Sequence, residues 1–368
     1  MMTDPGRHLH LAVPGLFGPL PQHAAQTVVA PEVPFLETLL ARATVAPFPG
    51  LGAESLVFAL FGLEIDKPAD LPCAAVTRLV DGGEPDSHWW LRADPVHLHA
   101  DGDRLLLFDV RRLDIHLEEA RWLAAQLNGL YREQGWNLEA LHPERWYLRL
   151  PPQSGLRTHP LSRVVGCNID PFLPFGAQAQ EWRGLLNEAQ MLLHRSDVNQ
   201  HREERGVVPI NSLWFWGGGS LPEAPPARFA SIKADDPLAH GLAILTGSDW
   251  RPLNERDAHL DRPGDHLVVD DSVLNAVMAA DPDAWGQACE ALESAWLELA
   301  DELIRVGTLN SLTLYPGNGL SYRLSNPGLS RFWRRRRRRP LSEYLTRVQQ
   351  DRYGTLFKPK GPRQGNVE

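Results

Sequence analysis

The densest grouping of chemically capable residues in this 368-residue chain is Asp197-Val198-Asn199-x-x-Arg202 followed by Pro209-Ile210-Asn211-Ser212-Leu213-Trp214-Phe215-Trp216-Gly217-Gly218-Gly219-x-x-Pro222. In an extended strand Trp214 and Trp216 share one face, and Leu213 and Phe215 share the other. Each indole is a large apolar plate carrying one N–H that needs an acceptor. Three successive glycines allow another backbone to approach closely, or allow N–H groups to form an anion-binding nest. Core packing with a tight turn and an anion site are both open readings of this pattern. His97 and His99 stand two apart in an alternating run, on one strand face, which is half of a metal site. No third ligand is identifiable beside them, so structural histidines are the other reading. Cys73, Cys167 and Cys289 are dispersed and unpaired in spacing, which argues against a disulfide framework or a zinc knuckle. All three read as small buried hydrophobes, and a reducing, cytoplasmic compartment follows.

Alternating strand and helix patterns surround these residues. Leu9–Val13 reads as a buried strand entering a Pro-Gly turn, and Pro34–Ala43 and Ser55–Gly62 as helices separated by a Pro- and Gly-rich loop over 46–52. The run His88–Asp109 alternates about an Asp101-Gly102-Asp103 hairpin turn. Leu117–Glu133 has helical spacing, and Leu138–Leu150 reads as two short strands bent at His142-Pro143. A helix over 179–204, interrupted near Ser196-Asp197, leads to the strand Ile210–Trp216, which is expected to end in the three glycines. A strand near Phe229–Ile232, a helix over Pro237–Leu245, a polar loop over 249–265 and a strand His266–Val269 follow. Asp283–Val306 carries an apolar stripe at helical spacing, and a hairpin closes around Pro316-Gly317-Asn318-Gly319. Strands alternating with helices point to an α/β sheet with helices on both faces.

Composition narrows the classes of function. Apolar residues make up 43% of the chain, ordinary for a globular protein. No apolar run approaches the ~18 residues of a membrane span, and the short run Leu9–Leu16 lacks the flanks of a signal peptide. Residues 331–368 hold 12 Lys+Arg against 3 Asp+Glu, a net of +9, which leaves −18 on residues 1–330. An acidic body makes nucleic acid an improbable partner. The block Arg334–Arg339 reads as a solvated like-charge tail or as a contact for an acidic surface.

The segment around Trp214-Phe215-Trp216-Gly217-Gly218-Gly219 resembles the Ile-Trp-Leu-Trp-Gly-Gln-Gly element of archaeal-type cofactor-independent phosphoglycerate mutases, of the alkaline-phosphatase-like superfamily. The likeness extends, in order, over Asp94-Pro95-Val96, Leu117-Glu118-Glu119-Ala120, Arg145-Trp146-Tyr147-Leu148, Thr158-His159-Pro160, Leu173-Pro174 and Gly241–Gly247. It implies an alkaline-phosphatase-like α/β domain from 1–92 and 248–330, a mutase-like insertion over 93–247, and a basic tail over 331–368. Carried over from that insertion, Arg145, His159, Asn199 and Arg202 would hold a phosphate or carboxylate, together with Trp214, Trp216, Gly217, Gly218 and Gly219. Arginine offers a planar fork for an oxyanion.

The outer segments depart from the family. Its first strand ends in Asp-Gly, whose Asp binds a divalent cation, where this chain has Pro14-Gly15. The late Asp-His ligand pair falls where Pro316-Gly317-Asn318-Gly319 stands. Asp270-Asp271 lies near another expected ligand cluster, but no His follows at useful spacing. Including Pro14-Gly15-Leu16 and Arg331-Phe332-Trp333-Arg334, the whole chain is similar to regulatory proteins of the RpfE type. The expectation is a mutase-derived regulatory protein without catalytic residues, metal or cofactor, binding a phosphorylated small metabolite or a protein partner. An active phosphoglycerate mutase or phosphatase using Mn or Zn is the alternative, and a nucleic-acid regulator acting through the arginine run is a third.

Overall fold

The structure is a computed structural model that describes residues 6–18, 31–63, 70–152, 156–176, 179–255, 260, 262–325 and 339–345. The run Arg334–Arg339 lies outside the described residues except for Arg339. Two sheets organise the chain. The larger has seven strands in the order β2 (Thr44–Leu51), β12 (Asn318–Ser325), β11 (Ser311–Tyr315), β1 (Arg7–Ala12), β10 (Gly264–Val269), β8 (Ser231–Ala234) and β9 (Trp250–Arg251). From β11 to β9 neighbouring strands are parallel, while β12 and β2 add an antiparallel edge. The second sheet joins β4 (Arg104–Phe108), β3 (Trp89–Asp101), β6 (Trp146–Leu150) and β5 (Asn137–Ala140), with β7 (Ser212–Ser220) paired to β3.

The helices cover both faces of the large sheet because its strands alternate between two apolar surfaces. Leu9 and Leu11 of β1 enter one core with α1 (Pro34–Arg42), α8 (Ser272–Met278), α9 (Pro282–Leu292) and α10 (Glu298–Arg305). Ala12 enters the other with α2 (Ala53–Leu60), α3 (Cys73–Val80) and α7 (Pro237–Thr246), and this second core also takes Val96, Trp214 and Trp216 of the smaller sheet. The far face of the smaller sheet, with Leu213 and Phe215, packs on α4 (Leu117–Tyr131) and α5 (Ala179–His194), and α6 (Asp197–Glu204) follows α5. Trp214/Trp216 and Leu213/Phe215 therefore point to opposite sides, as alternation requires.

Several elements differ from the expectations. The 46–52 segment is a strand, not a loop. Pro47 and Pro49 are tolerated because β2 is an edge that pairs on one side only, with β12. Strand β7 does not end at the glycines but runs through them to Ser220, because β3 supplies partners as far as Trp89. The strand Ser231–Ala234 and helix Pro237–Thr246, expected inside the insertion, belong to the larger sheet, where β8 pairs with β10. Within the expected polar loop, Trp250–Arg251 forms a short strand beside β8. The helices Cys73–Val80 and Ser272–Met278 had not been anticipated.

The long helix expected over Asp283–Val306 is three pieces, with a π-helical turn at Glu293–Leu297 between α9 and α10. The cause lies in α1, which begins after Val33 with no side-chain cap of its own. Glu293, 3% exposed, supplies the acceptors, with Oε1 2.5 Å from the Phe35 N–H and Oε2 2.9 Å from the Leu36 N–H. Orphan N–H groups at a helix start require such partners, and the widened turn lets Glu293 face inward with Leu297 still in the core. Of the cysteines, Cys73 and Cys289 are buried as expected, but Cys167 is exposed, in a turn beside the hairpin rather than in the core. Among the described residues no helix is long and apolar enough to cross a membrane.

Candidate functional site at the carboxyl edge of the sheet

In an open α/β sheet, the carboxyl ends of the parallel strands leave a crevice for ligands. Here that edge comprises Val13-Pro14-Gly15 after β1, Asp235-Asp236 after β8, Asp270-Asp271 after β10 and Pro316-Gly317 after β11. The start of α2 joins it, with the Gly52 N–H donating to the Gly317 carbonyl at 2.9 Å and Glu54 one residue into the helix. The smaller sheet contributes the segment Thr158–Arg163. Arg111 ties the two parts together, its guanidinium held by Asp109 at 3.0 Å and donating to the Asn275 carbonyl of α8 at 2.9 Å.

Electrostatics sets this edge apart. Burial, then the neighbouring Asp271 and Glu54 carboxylates, push Asp236 up to about 7, although it accepts the Ala239 N–H at 2.7 Å as the cap of α7. Burial likewise raises Glu54, against the pull of the Ser162 hydroxyl and Arg163. Burial raises Asp271, with Asp270 adding to it, and burial raises Asp70 despite its bonds to Thr158. Carboxyls with pKa values shifted toward neutrality can share protons, donate hydrogen bonds, or act as general acids and bases.

The metal centre that the family resemblance implies is not matched by these residues. Two-ion phosphoryl transfer needs carboxylates and imidazoles converging on both ions. Pro14 and Pro316 bring no ligand atom. Asp270 Oδ1 is occupied by Ser272, accepting its N–H at 3.0 Å and its hydroxyl at 2.6 Å. Among the described residues no group of three or more His, Cys, Asp and Glu side chains is placed to hold a metal ion. His97 and His99 do share a face, with ring centroids 6.3 Å apart, but His97 Nδ1 bonds the Pro209 carbonyl at 2.9 Å and His99 lies against Phe108.

Of the residues expected to hold a ligand, the structure brings three to this edge. The Trp214 indole donates to the His159 carbonyl at 2.8 Å, and the Gly217 N–H donates to Thr158 Oγ1 at 3.2 Å. Thr158 in turn bonds Asp70 through both its hydroxyl and its N–H. His159 is half-buried between Phe172 and Phe175, with Nδ1 3.1 Å from the Phe172 carbonyl.

The others stand elsewhere. Arg145 makes a two-pronged pair with Asp81, at 2.8 Å and 2.5 Å, and Tyr147 bonds the same carboxylate. Asn199 bridges the Leu193 and Ile210 carbonyls and accepts the Ile210 N–H. Arg202, 0% exposed, is surrounded by the Leu113, Asp114 and Val208 carbonyls and the Glu119 carboxylate. Trp216 donates to Asp94 Oδ2 at 2.6 Å. The glycines allow β7 to pass closely under its neighbours. A Cβ on Gly218 would stand 2.3 Å from the Trp89 ring, and one on Gly219 would stand 2.6 Å from Pro72.

Sequence reasoning did not single out Glu54, Asp70 or Asp236. The Asp-Asp pair closing β8 was the available signal for Asp236, and it matches the pair closing β10.

No protein-family profile matches the chain. A probable 2,3-bisphosphoglycerate-independent phosphoglycerate mutase of Geobacter sulfurreducens is 28% identical over 220 residues, covering 57% of this chain and 53% of that protein. The 2,3-bisphosphoglycerate-independent phosphoglycerate mutase of Methanosarcina barkeri is 32% identical over 104 residues, 27% of this chain and 26% of that one. The chain thus spans about half the length of the first relative and about a quarter of the second. The structure of the PH0037 protein from Pyrococcus horikoshii superposes with a TM-score of 0.54 at 13% identity, covering 88% of each chain. The chain is homologous over part of its length to cofactor-independent phosphoglycerate mutases, and its fold is a mixed α/β, alkaline-phosphatase-like one.

Proposed function

We propose that this is a mutase-derived regulatory protein of the RpfE type, acting in the cytoplasm by binding rather than by phosphoryl transfer. One observation carries the reading: the strand ends that would present metal ligands present Pro14 and Pro316, while Asp270 Oδ1 is taken by the Ser272 N–H and hydroxyl. The carboxyls that remain, Glu54, Asp236 and Asp271, are all raised by burial, and the other two raise Asp236 further. Such groups offer hydrogen-bond donors and acceptors to a protein partner, and they repel a phosphoryl group once they ionise. Of the positions carried over from the insertion for a phosphate, Asn199 and Arg202 are buried and bonded to protein groups and Arg145 is paired with Asp81, which leaves His159.

Purified protein is expected to carry substoichiometric divalent metal. It is expected to give no conversion of 3-phosphoglycerate to 2-phosphoglycerate with Mn²⁺, Zn²⁺ or Mg²⁺ added. Robust conversion stimulated by Mn²⁺ or Zn²⁺ overturns the reading. The gathering of Glu54, Asp236 and Asp271 favours a second one, a phosphotransferase with rearranged ligands. In that case turnover and bound metal both disappear in Asp236→Asn and Asp271→Asn.

A further inference from the structure

The outer face of the smaller domain carries an apolar groove with a symmetric charge pattern. It lies between α4 and α5, has a volume of about 540 Å³, and is lined by Gln126, Leu130, Glu188, Met191, Leu192 and Arg195. Trp122, Gln126 and Leu130 recur every four residues on α4, so they form one stripe. Glu188, Met191, Leu192 and Arg195 occupy i, i+3, i+4 and i+7 along α5 and its final turn, again one face. Met191 is 57% exposed and Trp122 41%, both among the large hydrophobic side chains most open to solvent. Gln126 has a buried Oε1 with no hydrogen-bond donor among the described residues. Neither Glu188 nor Arg195 makes an ion pair among the described residues.

We infer that this groove is the interface of a two-fold dimer, and that its occupant is a second copy of the chain. The pattern on α5 is complementary to itself when run antiparallel. A two-fold axis between residues 191 and 192 sets Glu188 opposite the partner's Arg195, Arg195 opposite the partner's Glu188, and Met191 against the partner's Leu192. Isologous contacts of this kind place every residue pair twice. The dimer would cover Met191 and Trp122. A single-sign or purely apolar face would not select itself in this way. The inference is independent of whether the carboxyl edge binds or catalyses.

Sedimentation equilibrium of the full chain tests it through charge reversal. The unaltered protein is expected to dimerise reversibly. Glu188→Arg and Arg195→Glu are each expected to weaken self-association by about tenfold or more, because like charges then meet twice. The double variant restores both intermolecular pairs and returns the affinity toward the original. Glu188 lies in α5 and Arg195 in the turn just past its end, seven positions on, so a purely intramolecular effect predicts no such rescue. Met191→Glu is expected to give folded monomers whose melting temperature matches that of the unaltered protein diluted until it too is monomeric. The proposal is overturned if the chain stays monomeric throughout the micromolar range. It is also overturned if the dimer persists in Met191→Glu, or if the double reversal associates no better than the single ones.

Discussion

At the scale of single residues, the most tightly constrained group is the buried pair Arg92–Asp94. Asp94 is 0% exposed and Arg92 5%, and the two approach to 2.7 Å. Asp94 also accepts the Trp216 indole, and Arg92 donates to Thr77 at 3.3 Å while lying over the Tyr147 and Trp216 rings. Burial pushes Asp94 up, and the adjacent guanidinium holds it down. Such a pair contributes little against apolar replacements, but removing one partner strands the other charge. Asp94→Ala is therefore expected to destabilise the fold by roughly 3–5 kcal/mol in urea denaturation. Asp94 was visible in the sequence only as part of the Asp94-Pro95-Val96 likeness. Its role is set by Trp216, which lies 122 positions away along the chain.

At the scale of elements, two close approaches define how helices meet one another. The first is the cap that Glu293 lends to α1 from a different helix. Removing a capping side chain costs about 0.5–2 kcal/mol, so Glu293→Ala is expected to destabilise by that order. Hydrogen exchange should localise the change to Phe35 and Leu36. Uniform protection loss across the molecule would instead mark Glu293 as a general core residue. The second is the crossing of α3 and α7, where a Cβ on Gly241 would stand 2.4 Å from the Val76 carbonyl oxygen. Backbone cannot yield there as a flexible side chain would, which explains a glycine in the middle of a helix.

At the scale of the whole molecule, the buried ionisable groups make stability depend on pH in opposing ways. His10 is held at about 4, mainly by burial, although Asp265 lies 3.4 Å from its Nε2. Between about 4 and 6.5 the unfolded chain binds the proton that folded His10 refuses, so this group's contribution is complete above about 6.5 and is lost as pH falls. Asp236 works in reverse. Its folded value of about 7 lies above the ordinary 3.8, so the folded state holds the extra proton and stability is lost as pH rises through that interval. Asparagine also caps helices well. Asp236→Asn is therefore expected to gain on the order of 1–3 kcal/mol at pH 8, and clearly less at pH 5, by urea denaturation. An equal gain at both values would mean that Asp236 is not the titrating group.

Local pattern determined a good deal of this protein by itself. Alternation at Leu213-Trp214-Phe215-Trp216 separates two cores, because side-chain direction in a strand has period two. The break at Ser196 reads from its capping chemistry, and its hydroxyl does accept the Val198 N–H. The prolines at 14 and 316 could be placed at strand ends because the strands themselves are legible. What needed tertiary structure were the features that depend on which strand lies beside which. The β2 edge, the extension of β7 through its glycines, the membership of β8 in the larger sheet and the π-turn at Glu293 are all decided by partners remote in sequence. The same holds for the carboxyl edge. Asp236, Glu54 and Asp271 are ordinary acids when read one at a time. Only the parallel order β1-β10-β8 and the helix start docked on it bring Asp271 and Glu54 near enough to raise Asp236.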